Sequence, residues 1–241
     1  MSVMATRARS GEYVEVEEAA RLLGVTTRQV ARLGSAGEVS YVGRGLVERA
    51  SLAAYLRERG FSRTRAWDEV TAWAAVALLS GLEVDWLGQV QTSRLRSRLR
   101  QLAESETGAH ELVGRARNRA ATRTYEYYDF LAPRMRKDMV VVSRRGLGLA
   151  DARKDQVDGY IAADELDELE KRYGLRRSAR GTMTLRSTHF DTNGIKRIAT
   201  QGNGALAALD AAGSLDAREH DVGARALTDH LEEFARGRAR A

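Results

Sequence analysis

Glu18-Ala19-Ala20-Arg21-Leu22-Leu23-Gly24-Val25-Thr26-Thr27-Arg28-Gln29-Val30-Ala31-Arg32-Leu33 divides at Gly24 into two short amphipathic helices. Ala20 is small where the two helices must cross closely, and Gly24, lacking a Cβ, leaves helical dihedrals at least cost. Val25 fills the corner, while Leu23, Val30 and Leu33 face back onto the first helix. Thr26 is a good N-cap, Gln29 three residues on completes a capping box, and Gly37 supplies the C′ residue. The outer face of the second helix is then Thr27, Arg28, Ala31, Arg32 and Ser35. Hydroxyls, guanidiniums and one small residue at this spacing are groups that read base edges and phosphates in a major groove. The expectation is a DNA-reading helix-turn-helix, although Ala-rich helical hairpins with a Gly turn also occur in proteins that touch no DNA.

Outward from this stretch, Val39-Ser40-Tyr41-Val42 alternates like a strand, Gly43-Arg44-Gly45 is a tight basic turn and Leu46-Val47-Glu48 pairs back. Ala50 to Leu56 returns to helical spacing. Helix, turn, helix, small basic hairpin and helix make a winged helix. The text "VEEAARLLGVTTRQVARLGSAGEV…VGRG…ERASLAAYL", over about residues 13 to 60, resembles the excisionase-like, MerR-type winged helix-turn-helix family. That family often has a proline after the Gly-Glu pair and a longer hairpin, where Val39-Ser40 stands here. The reading places Thr26, Thr27, Arg28, Ala31, Arg32 and Ser35 on the DNA, with Thr26 also offering its backbone N–H to phosphate. Arg44 on the wing and Arg49 hold the backbone.

The fold class expected for the 241 residues is α+β and mostly helical. Residues 1–11 read as a flexible leader, 12–60 as the winged helix, 61–108 as a helical linker domain and 109–241 as an α+β domain. The chain has no cysteine, which excludes disulfides and thiolate metal sites and fits a reducing, cytoplasmic setting. The first residues lack an apolar signal segment, and the longest apolar run, Ala72 to Leu79, is far short of the ~20 residues that cross a bilayer. The net charge of +6 is uneven. Residues 67–90 hold four acids and no base, residues 91–147 hold 13 bases against six acids, and the last 94 are nearly balanced. Positive charge therefore gathers where it can meet phosphate.

Beyond the winged helix, Ala66 to Leu79 reads as a buried helix with a stop at Ser80-Gly81, and Trp67, Trp73 and Trp86 as anchors of one core. Gln89 to Ala103 reads as a helix with Val90, Leu95, Leu99 and Leu102 inward. Arg94, Arg96, Arg98 and Arg100 lie between them, either as a solvated face or as accessory phosphate contacts. Tyr125 to Leu131 is β-prone, and Met139–Ser143, Val157–Ile161 and Thr182–Ser187 read as strands. A short helix runs from a cap at Asp164 to Gly174, with acids first and bases last. Gly202 to Ala212 and Ala217 to Arg236 read as closing helices, the second capped by Asp216 and buried through Val222, Leu227, Leu231 and Phe234.

The last region, "ALAALDAAGSLDAREHDVGARALTDHL", carries a second resemblance. Leu209-Asp210, Ser214 to Glu219 and Gly223, behind a winged helix, look like AbiE-type antitoxins, the DNA-binding partners of nucleotidyltransferase toxins. The resemblance implies a cytoplasmic autorepressor of a toxin–antitoxin operon, binding inverted repeats as a homodimer or with the toxin.

No enzyme is expected. The four histidines, His110, His189, His220 and His230, have no metal-ligand spacing. No phosphate-binding loop and no nucleophile elbow occur, and Asp151 with Asp155 are lone carboxylates at loop spacing. Neither cofactor nor metal is implied. The expected function is a sequence-specific duplex-DNA-binding repressor, most concretely the autoregulating antitoxin. The alternatives are a non-catalytic interaction adaptor, or an excisionase-type recombination accessory, which would need little more than the winged helix.

Overall fold

The computed structural model describes residues 13–23, 25–42, 45–49, 51–52, 55, 65–149, 157–178, 181–214 and 216–237. The expected leader, Gly24, Arg44, Asp151 and Asp155 lie outside these. Among the described residues no helix is long and apolar enough to cross a membrane.

Residues 13–55 enclose a core of their own. α1 (Val16–Leu23) and α2 (Thr27–Ser35) bury Ala19, Ala20, Leu23 and Val30, and Val14, Val39, Val47 and Leu52 close the cluster. Val25 and Leu33 pack on its edge. β1 (Tyr13–Glu15), β2 (Tyr41–Val42) and β3 (Leu46–Glu48) form an antiparallel sheet in the order β1-β3-β2. The β2–β3 hairpin is the expected one. β1 is an addition, since three residues are too short for a strand period to be legible. The Ser51 hydroxyl accepts the Ser40 N–H at 2.9 Å and donates to the Glu48 carbonyl at 3.0 Å, tying the following helical residues to the hairpin.

The larger body is a mixed sheet between two layers. α3 (Glu69–Leu79) starts where Asp68 accepts the Thr71 N–H at 2.8 Å, and every residue from Ala72 to Leu79 is buried. α4 (Gln89–Ala103) has the expected bounds, but Val90 is 64% exposed rather than inward. Five residues before Leu95 it lies across the helix from the Leu95, Leu99 and Leu102 stripe, and Thr92 takes the inward place. α5 (Gly108–Arg115) puts Leu112 and Val113 into the same core as α3 and α4. That core continues through the last helices, so it does not divide at residue 108.

The sheet runs β5-β7-β4-β6, built from β4 (Ala121–Glu126), β5 (Val157–Ala162), β6 (Arg176–Arg177) and β7 (Met183–Thr188). β5 and β7 are parallel, while β4 is antiparallel to both of its neighbours. Strand alternation sorts the side chains. Val157, Ile161, Met183, Leu185 and Tyr125 face a small core under α6 (Ala132–Met135) and α7 (Leu166–Tyr173). Tyr160 faces the main core, under α8 (Thr192–Gln201), α9 (Ala205–Ala212) and α10 (Ala217–Ala235).

Several expectations need correction. Met139–Ser143 is not a strand: Val140 exchanges two 2.9 Å hydrogen bonds with Tyr160 and pairing stops. The chain then turns to bring Arg144 to Asp158 and Glu219. Phe130 and Leu131 are in a 3-10 turn (Asp129–Leu131) rather than extended. A 3-10 turn (Ala163–Glu165) precedes α7, so Asp164 does not cap it, while Gly174 ends it as expected. α8 was not anticipated, since Ile195 and Ile198 are its only buried residues and make too faint a stripe. The last helix has its expected cap, where Asp216 accepts the Glu219 N–H at 2.9 Å, and Leu227, Leu231 and Phe234 are buried, but Val222 is only half-buried because Gly223 takes the inward place. Gly223 lets α10 cross α9, because a Cβ there would lie 2.2 Å from the Ala212 nitrogen.

Candidate nucleic-acid interface

The sequence of α2 sets its own orientation. Val30 is fully buried against α1, so the positions on the opposite side of the turn face water. Thr27, Arg28, Ala31, Arg32 and Ser35 are all exposed on that side. Thr26 sits in extended backbone and its hydroxyl accepts the Gln29 N–H at 3.3 Å. The reciprocal half of the expected capping box is not formed, and the Gln29 side chain is exposed. At the other end, Glu38 N–H reaches the Leu33 carbonyl at 2.9 Å and Gly37 N–H the Gly34 carbonyl at 3.1 Å, with Gly37 at φ +74°. This is the Schellman ending the sequence implies, and it needs a residue that tolerates the left-handed region. Ser35 turns its hydroxyl back to the Ala31 carbonyl at 3.1 Å.

Neither Arg28 nor Arg32 makes an ion pair or side-chain hydrogen bond with a described residue. Two guanidiniums, five forked donors each, thus lie on one exposed helix face with no acceptor among the described residues. Arg49 is exposed at the end of the hairpin. Arg94, Arg96, Arg98 and Arg100 are exposed as well, but their two-residue spacing splits them. Arg94 and Arg98 share one flank of α4, and Arg96 and Arg100 another. Arg98 donates to Gln101 at 3.0 Å, and Arg100 lies 6.0 Å from the Phe234 ring centroid. The ladder is two short rows and not one phosphate-facing face.

A second cluster of arginines was not legible in the sequence. Arg119, Arg186 and Asp210 are 8%, 7% and 3% exposed. Arg119 donates to Asp210 at 2.7 Å and to the Tyr160 hydroxyl at 3.1 Å, and Tyr160 donates to Asp210 at 2.6 Å. Arg186 lies 3.5 Å from Asp210 and pairs with Asp158, which also takes Arg144. Arg144 reaches Glu219 at 2.8 Å, and Glu219 accepts from Ser214 at 2.6 Å. Burial pushes the Asp210 carboxyl up, but the charges of Arg186 and Arg119 outweigh it and hold the group below its ordinary value. Burial lowers Arg186 to about 10 and lifts the Tyr160 phenol well above its usual range, so the phenol stays protonated and donates. Three guanidiniums meet three carboxylates, which leaves this cluster no uncompensated charge for a ligand. The signal that marks it is the polar alternate residue of β5 and β7, Asp158, Tyr160 and Arg186, on a face that helices cover.

Several of the remaining chemistry-bearing residues have structural partners, whereas the buried His230 Nδ1 has none among the described residues. His220 Nδ1 contacts the Ala212 carbonyl at 2.7 Å, while His189 is exposed and only its backbone N–H donates to Glu69, at 2.7 Å. Asp191 caps α8 through the Asn193 and Gly194 N–H groups. The acidic run of α7 is engaged by Arg172, which pairs with Glu168 and, at 3.3 Å, with Asp138, and by Tyr125 on Glu170. Among the described residues no group of three or more His, Asp or Glu side chains is placed to hold a metal ion. Compared with known proteins, the chain matches no family model, no curated protein and no solved structure.

Proposed function

We propose that residues 13–55 are a winged helix-turn-helix that binds duplex DNA through α2, and that the chain is a sequence-specific transcriptional repressor. The observation that carries this reading is the outer face of α2: two exposed arginines with no partner among the described residues, beside Thr27, Ala31 and Ser35. Val30 and the α1 contact hold that face at a fixed angle. In the major groove, Arg28 and Arg32 would donate as forks to guanine O6 and N7 or to phosphate, with Thr27 and Ser35 on adjacent edges. The open N–H groups at the start of α2, next to Thr26, suit a phosphate oxygen. Arg44, between the two hairpin strands in sequence, and Arg49 would hold the backbone on the flanks.

One such small unit gives modest affinity, so the operator complex is a homodimer on an inverted repeat. The antitoxin reading assigns the rear body to a nucleotidyltransferase toxin encoded beside it, in the cytoplasm. The recombination accessory is disfavoured because so much of the chain lies outside residues 13–55. The adaptor reading draws on one feature, the exposed and stacked rings of Tyr128 and Phe130, 5.8 Å apart, since aromatic residues are enriched where proteins meet.

The test is a gel shift of the full chain on the DNA upstream of its own reading frame and on a scrambled duplex, across a salt series. The proposal expects preferential binding to the upstream duplex, with a steep fall of log affinity against log salt. Equal, weak binding to both duplexes would overturn it.

A further inference from the structure

A cleft of about 960 Å³ opens between α4, α5 and the segment leading into α3. Arg65, Trp67, Arg98, Glu111 and Arg115 line it. Their donors and acceptors do not balance. Glu111 is engaged at 3.3 Å by Arg115 and at 3.4 Å by Thr107. The Asp68 carboxylate, also at the cleft, is occupied by the Thr71 N–H and hydroxyl. Arg115 is mostly buried, and its Nε has no hydrogen-bond partner. Arg98 is paired with a neutral group only, Gln101, and Arg65 is exposed with no partner among the described residues. Trp67 stands beside these cations, with Arg115 6.0 Å from its ring centroid. The Trp67 backbone N–H donates to the Arg115 carbonyl at 2.8 Å and ties the two segments together beside the cleft.

We propose that this cleft binds a small phosphate monoester with a planar body, the chemistry of a mononucleotide. Guanidinium forks match phosphate oxygens, and Arg65 and Arg98 stand at the opening as the charges that hold the phosphate. Trp67 gives the planar body an aromatic wall. The cleft has the size of small-molecule sites rather than of a site for a bare inorganic ion. It lies outside residues 13–55, so its occupancy stands apart from DNA binding by α2.

The test is calorimetric titration of the full chain with adenosine monophosphate and, separately, with inorganic phosphate. Saturable binding of the nucleotide, at least tenfold tighter than inorganic phosphate, is expected. Arg98→Ala and Arg65→Ala, both exposed side chains, should each weaken it by tenfold or more without moving the melting temperature. Trp67→Leu should weaken the nucleotide and leave inorganic phosphate unchanged. No saturable binding, or equal binding by both arginine variants and the parent, would overturn the proposal. So would a nucleotide that fails to bind while Arg98→Ala weakens duplex DNA, which would make the cleft part of a phosphodiester surface.

Discussion

Arginine does opposite work at the two ends of this molecule. On α2, Arg28 and Arg32 are exposed to water with no partner among the described residues. Under α9 and α10, Arg119 and Arg186 are nearly sealed from water and share Asp210 between them. The first pair is solvated and contributes little to folding. The second has been withdrawn from solvent, a large desolvation cost that its carboxylates, the Tyr160 hydroxyl and the Ala116 carbonyl offset. Composition cannot tell these uses apart; burial and partnership can. The AbiE-like phrase at residues 209–223 makes the same point. In this chain Asp210 and Glu219 belong to the ion network, Asp216 caps α10, and Gly223 lets the two helices cross.

The comparison can be broken most forcefully at Asp210. Asp210→Ala leaves two buried guanidiniums facing each other, and should cost about 3–5 kcal/mol of unfolding free energy in chemical denaturation. A loss below about 1 kcal/mol would mean that water reaches the cluster and the pairing is loose. Next in size, Gly223→Ala pushes a methyl into the α9 backbone and should cost about 1–3 kcal/mol, read by the same denaturation curves. In the small unit, Thr26→Ala removes the N-cap of α2 and should cost about 1 kcal/mol. Local hydrogen exchange should place that loss in residues 27–35 and leave the sheet body unchanged.

The smallest effect is a pH slope. Burial lowers the pKa of His230, against the opposing pull of Glu233 and Asp229. The unfolded chain, titrating near the ordinary value of about 6.5, therefore takes up the proton first. Stability falls as the pH drops through that value towards the folded pKa, and is flat with respect to His230 above it. His230→Gln should remove this part of the slope and leave the acid limb of the depressed Asp210 carboxyl, which is lost only as pH falls below about 4.

The N-terminal unit was legible because its signals are local. Thr26, Gly37, Val30 and the two-residue alternation of residues 39–48 each act within a few positions. α4, the apolar run of α3 and the stripe of α10 were legible for the same reason. The ion network was not, since Arg119, Asp158, Arg186 and Asp210 come from four separate elements and only the tertiary fold brings them together. Met139 to Val142 misled because β-propensity describes side chains that suit a sheet, whereas a ladder also needs a partner edge that continues. The core passing residue 108 was hidden by the change in local pattern after α5, although Leu112 packs with Leu99 and Leu102.

The most direct test of the account joins its two halves in one protein. The Arg28→Ala and Arg32→Ala variants should be taken, singly and together, through denaturation and through a gel shift on the upstream duplex. Each substitution should cost about 1–3 kcal/mol of specific DNA binding, while unfolding free energy stays within about 0.5 kcal/mol of the parent. Variants that shift the upstream duplex as tightly as the parent would contradict the account and leave α2 without its assigned role.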